Sequence, residues 1–187
     1  MNDISEKNEL IFGYSSGILG DAKSLMVSMY LHLNTIASKK SLIFDNLLAD
    51  EFFNLENNNL KRLNYKDCII NNSKSENNKS VLLDPVTKLV GRLNDIKWKS
   101  IYKGFKEFDL PVRDKDKIKL IKMDPGTSVP LHSHNGKEYI LVIEGSFCDE
   151  YGEYSKGDLQ INDHNVKHHP TANNDNGCIC LSISIKF

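Results

Sequence analysis

Apolar residues recur at helical intervals through the first part of this chain and alternate at a period of two near its end, so two differently built halves are expected. From Asn8 to about Leu63 the helical pattern runs through Leu25, Met29 and Leu33, then Phe44, Leu47, Leu48, Phe52 and Leu55. This predicts a small helical bundle. Gly17, Gly20 and Asp21 mark the break between its first two helices, and Ser24 is placed to cap the second. Between Asn64 and Ser80 the chain is a polar tract that cannot bury enough apolar surface to offset its ordering entropy, and it reads as a flexible linker. Asp84-Pro85 then supplies an N-cap and a first-turn proline for a short helix to about Leu93, with Val86, Leu89, Val90 and Leu93 on its apolar face.

After Trp98 the pattern changes to short strands: Ile118 to Met123, Tyr139 to Ile143, Asp158 to Ile161, and Cys178 to Phe187. The last is two-sided. Ile179, Leu181, Ile183, Ile185 and Phe187 share one face, and Cys178, Cys180, Ser182 and Ser184 share the other. Both thiols thus point the same way, either into a metal cavity or as small residues filling a tapered barrel interior.

With 187 residues and 40% hydrophobic content, the chain can bury one medium core or two small ones. The patterning favours two domains: helices over 1–63, a linker over 64–80, and an all-β domain over 81–187 with the short helix at about 84–93 leading it. A net charge of −1 gives no sign of direct nucleic-acid binding, so a partner must be recognised by shape. No apolar run approaches the roughly 20 residues that span a bilayer, and Met1-Asn-Asp-Ile-Ser-Glu-Lys-Asn lacks the order of a signal peptide. A cytoplasmic protein with no membrane partner is expected. The four cysteines, Cys68, Cys148, Cys178 and Cys180, form no Cys-x-x-Cys pair and are too few for a disulfide scaffold, so reduced thiols are the default.

Candidate chemistry is concentrated between Gly126 and His168. On a strand, residues two apart share a face, so His132 and His134 can look into one interior. Glu138 follows past Asn135-Gly136, a pair that can turn the next strand back beside its predecessor. Its carboxylate stands at the mouth of the buried strand Tyr139 to Ile143, where leaving it unpaired would be costly. Two imidazoles and a carboxylate suit zinc, iron, manganese, nickel or copper and are too nitrogen-rich for calcium or magnesium. His168, between the last two strands, fits as a fourth ligand.

The spacing Gly126-x5-His132-x-His134-x3-Glu138-x6-Gly145 resembles the first cupin motif at every fixed position. The second motif is weaker: Gly157-Asp158 begins it, Asp163 and Asn165 stand where a Pro and a Gly are usual, and His168 takes the ligand place. Leu83-Asp-Pro85, Trp98-Lys-Ser, Glu144-Gly-Ser-Phe-Cys-Asp-Glu150, Tyr154-Ser-Lys-Gly-Asp158, His168-His-Pro170 and Cys178-Ile-Cys-Leu181 narrow the resemblance to ChrR-like anti-sigma factors. The resemblance implies a C-terminal jelly-roll barrel of the cupin type, the double-stranded β-helix, holding one divalent metal on His132, His134, Glu138 and His168. It favours zinc, whereas the ligand set alone accepts iron, manganese or nickel equally.

Leu10-Ile-Phe-Gly-Tyr14-Ser-Ser-Gly17-Ile-Leu19 and the helix through Leu33 resemble the zinc-binding anti-sigma domain of the same family. Counting from Gly17, Ser5, Tyr30, Asn34 and Ala37 occupy that domain's four ligand positions. These side chains cannot build a closed thiolate and imidazole site, so no zinc is expected in the helical half. His32, alone on a helix, reads as an ordinary polar residue.

Two functions of different class follow. In the first, the helices sequester an extracytoplasmic-function sigma factor and the metal-binding cupin senses oxidative stress. In the second, the barrel is a metal-dependent oxygenase and the helices are a dimerisation module. A third reading, a metal-storing cupin without partner or turnover, stays open. Tyr139, Glu144, His164 and His169 are neighbours of the motif without an assigned part in catalysis, and Glu150 and Glu153 read as a solvated turn around Tyr151-Gly152.

Overall fold

The computed structural model describes residues 3–55 and 84–186, so the expected linker, Cys68 and Phe187 lie outside the described residues, as do the side chains of Phe52 and Leu55. Three helices come first: α1 (Asp3–Ser15), α2 (Asp21–Leu33) and α3 (Thr35–Leu55). The break falls where Gly17 and Gly20 predicted it. The cap of α2 does not. Gly20 is its N-cap, the Ala22 amide donates to Asp114 Oδ2 at 2.8 Å, and the Ser24 hydroxyl donates instead to the Leu19 carbonyl. A carboxylate far along the chain thus satisfies an orphan donor that sequence reasoning assigned to a neighbour.

The short helix α4 (Pro85–Val90) has the expected cap, the Thr87 amide donating to Asp84 Oδ1 at 2.8 Å. It stops earlier than expected because Gly91 closes it, and Leu93 belongs to a following 3-10 turn over Leu93–Asp95.

The remaining chain is antiparallel β structure: β1 (Lys99–Tyr102), β2 (Phe105–Asp109), β3 (Lys117–Met123), β4 (His132–Ser133), β5 (Gly136–Asp149), β6 (Gly152–Ser155), β7 (Leu159–Asn162), β8 (Lys167–His168), β9 (Thr171–Ala172) and β10 (Cys178–Lys186). The main sheet runs β1-β2-β3-β10-β5-β6. β5 serves two walls, pairing with β10 and β7 along its first half and with β6 and β9 at its end. Gly145 lets it cross: its φ is 71°, and a Cβ there would lie 2.0 Å from the Gly177 carbonyl oxygen.

One prediction about register fails. Asn135-Gly136 does not fold β5 back on β4; His132 pairs with His168 on β8, and Gly136 pairs with Lys186 inside the β5–β10 ladder. The glycine is required by close packing, since a Cβ would meet the Ile185 carbonyl oxygen at 1.8 Å.

Both faces of the β3–β10–β5 sheet are buried. Inward, Met123, Ile140, Val142, Cys178 and Cys180 join Phe105 and Phe147 in the barrel core. Outward, Leu120, Leu141, Leu181 and Ile183 pack in one cluster with Ala22, Met26, Val27 and Met29, which form a single stripe of α2. Among the described residues the helices therefore have no separate core. They share one with the outside of the barrel. Phe44 packs at the edge of this cluster and meets Phe12 edge to face at 5.6 Å, whereas Leu47, expected inside, is 58% exposed.

Because one cluster serves both parts, Leu181→Ala should cost about 3 kcal/mol. Helical circular dichroism and the fluorescence of Trp98, packed against the same cluster, should be lost at one midpoint. Two separate transitions in the unmodified chain would contradict the shared core.

Candidate metal centre

Four side chains from three strands and one loop converge inside the barrel. His132 comes from β4, His168 from its register partner on β8, Glu138 from β5, and His134 from the turn before it. The His134 and His168 Nε2 atoms are 3.0 Å apart, those of His168 and His132 are 3.2 Å apart, and Glu138 Oε2 lies 3.0 Å from His134 Nε2 and 3.8 Å from that of His168. One ligand atom from each residue falls within 4.8 Å of the others. Ligands about 2.0–2.1 Å from a tetrahedral zinc stand about 3.3 Å apart, a value that the four distances above, 3.0 to 3.8 Å, bracket.

Tautomers sharpen the point. His132 Nδ1 lies 2.9 Å from the Pro130 carbonyl oxygen, which can only accept, so that nitrogen carries the proton. His168 Nδ1 lies 3.0 Å from Asp149 Oδ2 and donates to it in the same way. When neutral, both rings then aim bare Nε2 lone pairs at one point, an arrangement that repels itself unless a cation sits there. Glu138 Oε2 is buried without a hydrogen-bond partner. The donor set fits a divalent metal.

The electrostatics agree. Burial first, then the neighbouring His132 and His168 charges, pushes His134 down to about 4. Burial pushes Glu138 up to about 7, against hydrogen bonds from Asn162 and Ser182 that favour its charged form. His168 is also lowered, chiefly by burial, although Asp149 opposes this. The cluster disfavours its own charges and welcomes an external one.

Sequence reasoning missed the support behind these ligands. Asp149, its carboxylate fully buried, accepts from His168 and from Gln160 Nε2 at 2.7 Å. Asn162 Nδ2 donates to Gln160 Oε1 at 3.2 Å and the Asn162 side chain also bonds Glu138, while the Ser182 hydroxyl donates to Glu138 Oε1 at 3.4 Å. A buried polar chain thus runs from Glu138 round to His168. Its signal in the sequence was the polar pair Gln160 and Asn162, two apart on an otherwise apolar strand.

The site opens on a cavity of about 230 Å³ walled by Phe105, Ile121, Val129, Ile140 and Phe147. Cys180 lines it; Cys178 does not, lying in the barrel core with its Sγ 3.9 Å from that of Cys180. That hydrogen bond and complete burial hold the Cys180 thiol well above its ordinary pKa, so it stays protonated. Tyr139 faces the helices, and Glu144, His164 and His169 lie exposed outside the cluster. Glu150 and Glu153 are exposed at the β5–β6 hairpin, where Glu150 Oε2 also accepts from the His169 amide at 2.9 Å.

The family profile of the ChrR cupin-like domain matches residues 86–186, more than half of the chain. The chain belongs to this family. It is 35% identical over 99 residues to the anti-sigma-E factor ChrR of Cereibacter sphaeroides, an alignment spanning 52% of this chain and 46% of that relative. It also superposes on a chain of the crystal structure of Rhodobacter sphaeroides SigE in complex with the anti-sigma ChrR. There the TM-score is 0.76 and the identity 27%, over 95% of this chain and 96% of that one. This likeness takes in the helices as well as the cupin barrel.

In the helical half, the four positions where the ChrR-like pattern has zinc ligands carry other structure. Ser5 is exposed, Tyr30 and Ala37 are buried, and Asn34 forms the corner between α2 and α3. The Asn34 amide N–H donates to the Tyr30 carbonyl at 2.8 Å, its Oδ1 accepts from the Ala37 amide at 3.0 Å, and its Nδ2 donates to the Gly157 carbonyl of the barrel at 3.1 Å. His32 is exposed in the last turn of α2.

Asp149→Asn, which removes the charge behind His168, should weaken metal binding about 10- to 100-fold in competition titrations. Glu138 must lose its proton to ligate, so below about pH 7 its share of the affinity should rise about tenfold per pH unit and then level off. Glu138→Gln should remove that segment of the pH profile. His134, already neutral above about pH 4, should add no slope in that window.

Proposed function

We propose that this chain is a cytoplasmic anti-sigma factor: its helices sequester an extracytoplasmic-function sigma factor, and its cupin barrel binds one zinc ion on His132, His134, Glu138 and His168. The carrying observation is that 95% of the chain, helices and barrel together, superposes on a chain of a complex between a sigma factor and an anti-sigma. The helices also offer a surface for such a partner. On α3, Ile36, Ile43 and Leu47 follow one helical stripe at 68%, 58% and 58% exposure, and α1 presents Ile4 and Phe12. Among the described residues no helix is long and apolar enough to cross a membrane.

The metal gives the regulator its sensing half. Loss or oxidation of ligands around a buried ion changes the barrel locally, and a coupling of about 1 to 3 kcal/mol between sites changes partner affinity some 5- to 150-fold. The same cavity supports the oxygenase reading less well. Its charged walls, Glu107 and Lys119, are paired with each other at 2.9 Å, and Cys180 is held protonated, which leaves no evident general base facing the ligands.

Elemental analysis of the purified chain should find about one equivalent of zinc, and His132→Ala should lose it. Pull-downs with each extracytoplasmic-function sigma factor of the source organism should capture one of them. Ile43→Asp with Leu47→Asp should weaken that capture at least about tenfold with only a small fall in melting temperature, since both side chains are more than half exposed. Failure with every sigma factor would end the anti-sigma reading.

A further inference from the structure

Glu6 is the fourth residue of α1, yet its carboxylate side chain is buried and the residue is only 8% exposed. Its Oε1 accepts from Lys137 Nζ at 2.6 Å and from the Tyr139 hydroxyl at 2.8 Å. These two partners are the residues on either side of Glu138. Because successive strand residues face opposite ways, Glu138 enters the metal cavity while Lys137 and Tyr139 leave the barrel toward α1. Three consecutive residues of β5 therefore touch both the candidate metal centre and the first helix.

We propose that this Glu6 latch transmits occupancy of the metal centre to α1. The grip on a partner follows from it only on the anti-sigma reading above, because Ile4 and Phe12 belong to the same helix. With a metal bound, Glu138 is fixed by coordination, and the backbone at 137 to 139 is held in the geometry that closes the latch. Among the described residues Glu138 Oε2 has no hydrogen-bond partner and stands among imidazole nitrogens that face one another, so with the metal removed little would hold it. The site relaxes by moving Glu138, and a backbone adjustment at one strand residue is shared by its two neighbours. A buried carboxylate that loses aligned donors is costly, so the latch opens rather than stretches. The connection is a short path of direct contacts, from Glu138 through its two neighbours to Glu6, and whether its far end switches is what hydrogen exchange measures.

Hydrogen exchange on the full-length protein, loaded with zinc or stripped by a chelator, reads the latch without any partner. Stripping should speed exchange of the α1 amides, residues 3–15, about tenfold while β10 stays protected. In Glu6→Gln, α1 should exchange fast in both forms while a full equivalent of zinc is retained. Tyr139→Phe, which deletes only a hydroxyl, should move the loaded protein in the same direction. If α1 exchange in the unmodified chain ignores zinc, or if Glu6→Gln keeps the whole zinc-dependent difference, the latch is refuted. A chain whose α1 responds to zinc but which captures no sigma factor would overturn the functional reading alone; one that captures a sigma factor while α1 is indifferent to zinc would overturn the latch alone.

Discussion

Burial of the β3–β10–β5 sheet on both faces is the constraint on which this molecule depends. Most antiparallel sheets leave one side to water, so their alternation separates polar from apolar residues. Here alternation separates two interiors. Leu141, Leu181 and Ile183 are fully buried against the helices, while Glu138, Cys180 and Ser182 face the cavity. A slip of one residue in β10 would send Leu181 toward the Glu138 carboxylate and Ser182 into the helical core. The register that gathers the candidate metal-binding side chains is thus the register that docks the helices.

The inner face carries an electrostatic problem and its solution together. Three imidazoles and a carboxylate are drawn out of water, and burial alone moves His134 and Glu138 toward their neutral forms. Neutral rings cannot satisfy one another, because Pro130 and Asp149 hold the protons of His132 and His168 on Nδ1 and leave two Nε2 acceptors face to face. A divalent ion can. It would also join β4 and β8, two strands of two residues each, to the long strand β5, supplying cohesion that so short a ladder lacks.

What the sequence disclosed follows the range of the interactions involved. The period of two placed His132 and His134 together, and the two-sidedness of Cys178 to Lys186 was visible because both of its interiors lie within one strand. Asp84-Pro85 was legible because a cap is made with residues three positions away. Asp114 capping α2 was not, since its partner Ala22 is distant in sequence and Ser24 offered a nearer hydroxyl. Asn135-Gly136 misled for a related reason: glycine serves close packing as readily as a turn, and only the Ile185 carbonyl distinguishes them. Asp149, Gln160 and Asn162 form their chain only after two strands are paired, so each alone resembles ordinary polarity.

The helical half is docked on the barrel at several separate points. A structural zinc knits its ligands whatever lies beyond them, and its binding energy contributes directly to folding. In this chain the corner between α2 and α3 is knit by Asn34, whose side chain reaches both Ala37 in α3 and the Gly157 carbonyl in the barrel. Asp114 caps α2, Lys23 stands 3.9 Å from Asp116, and Glu6 is held by β5. Apart from the Asn34–Ala37 bond, each of these contacts joins a helix to the β half. The helices therefore owe part of their arrangement to the barrel, and a change in the barrel has a direct route to them.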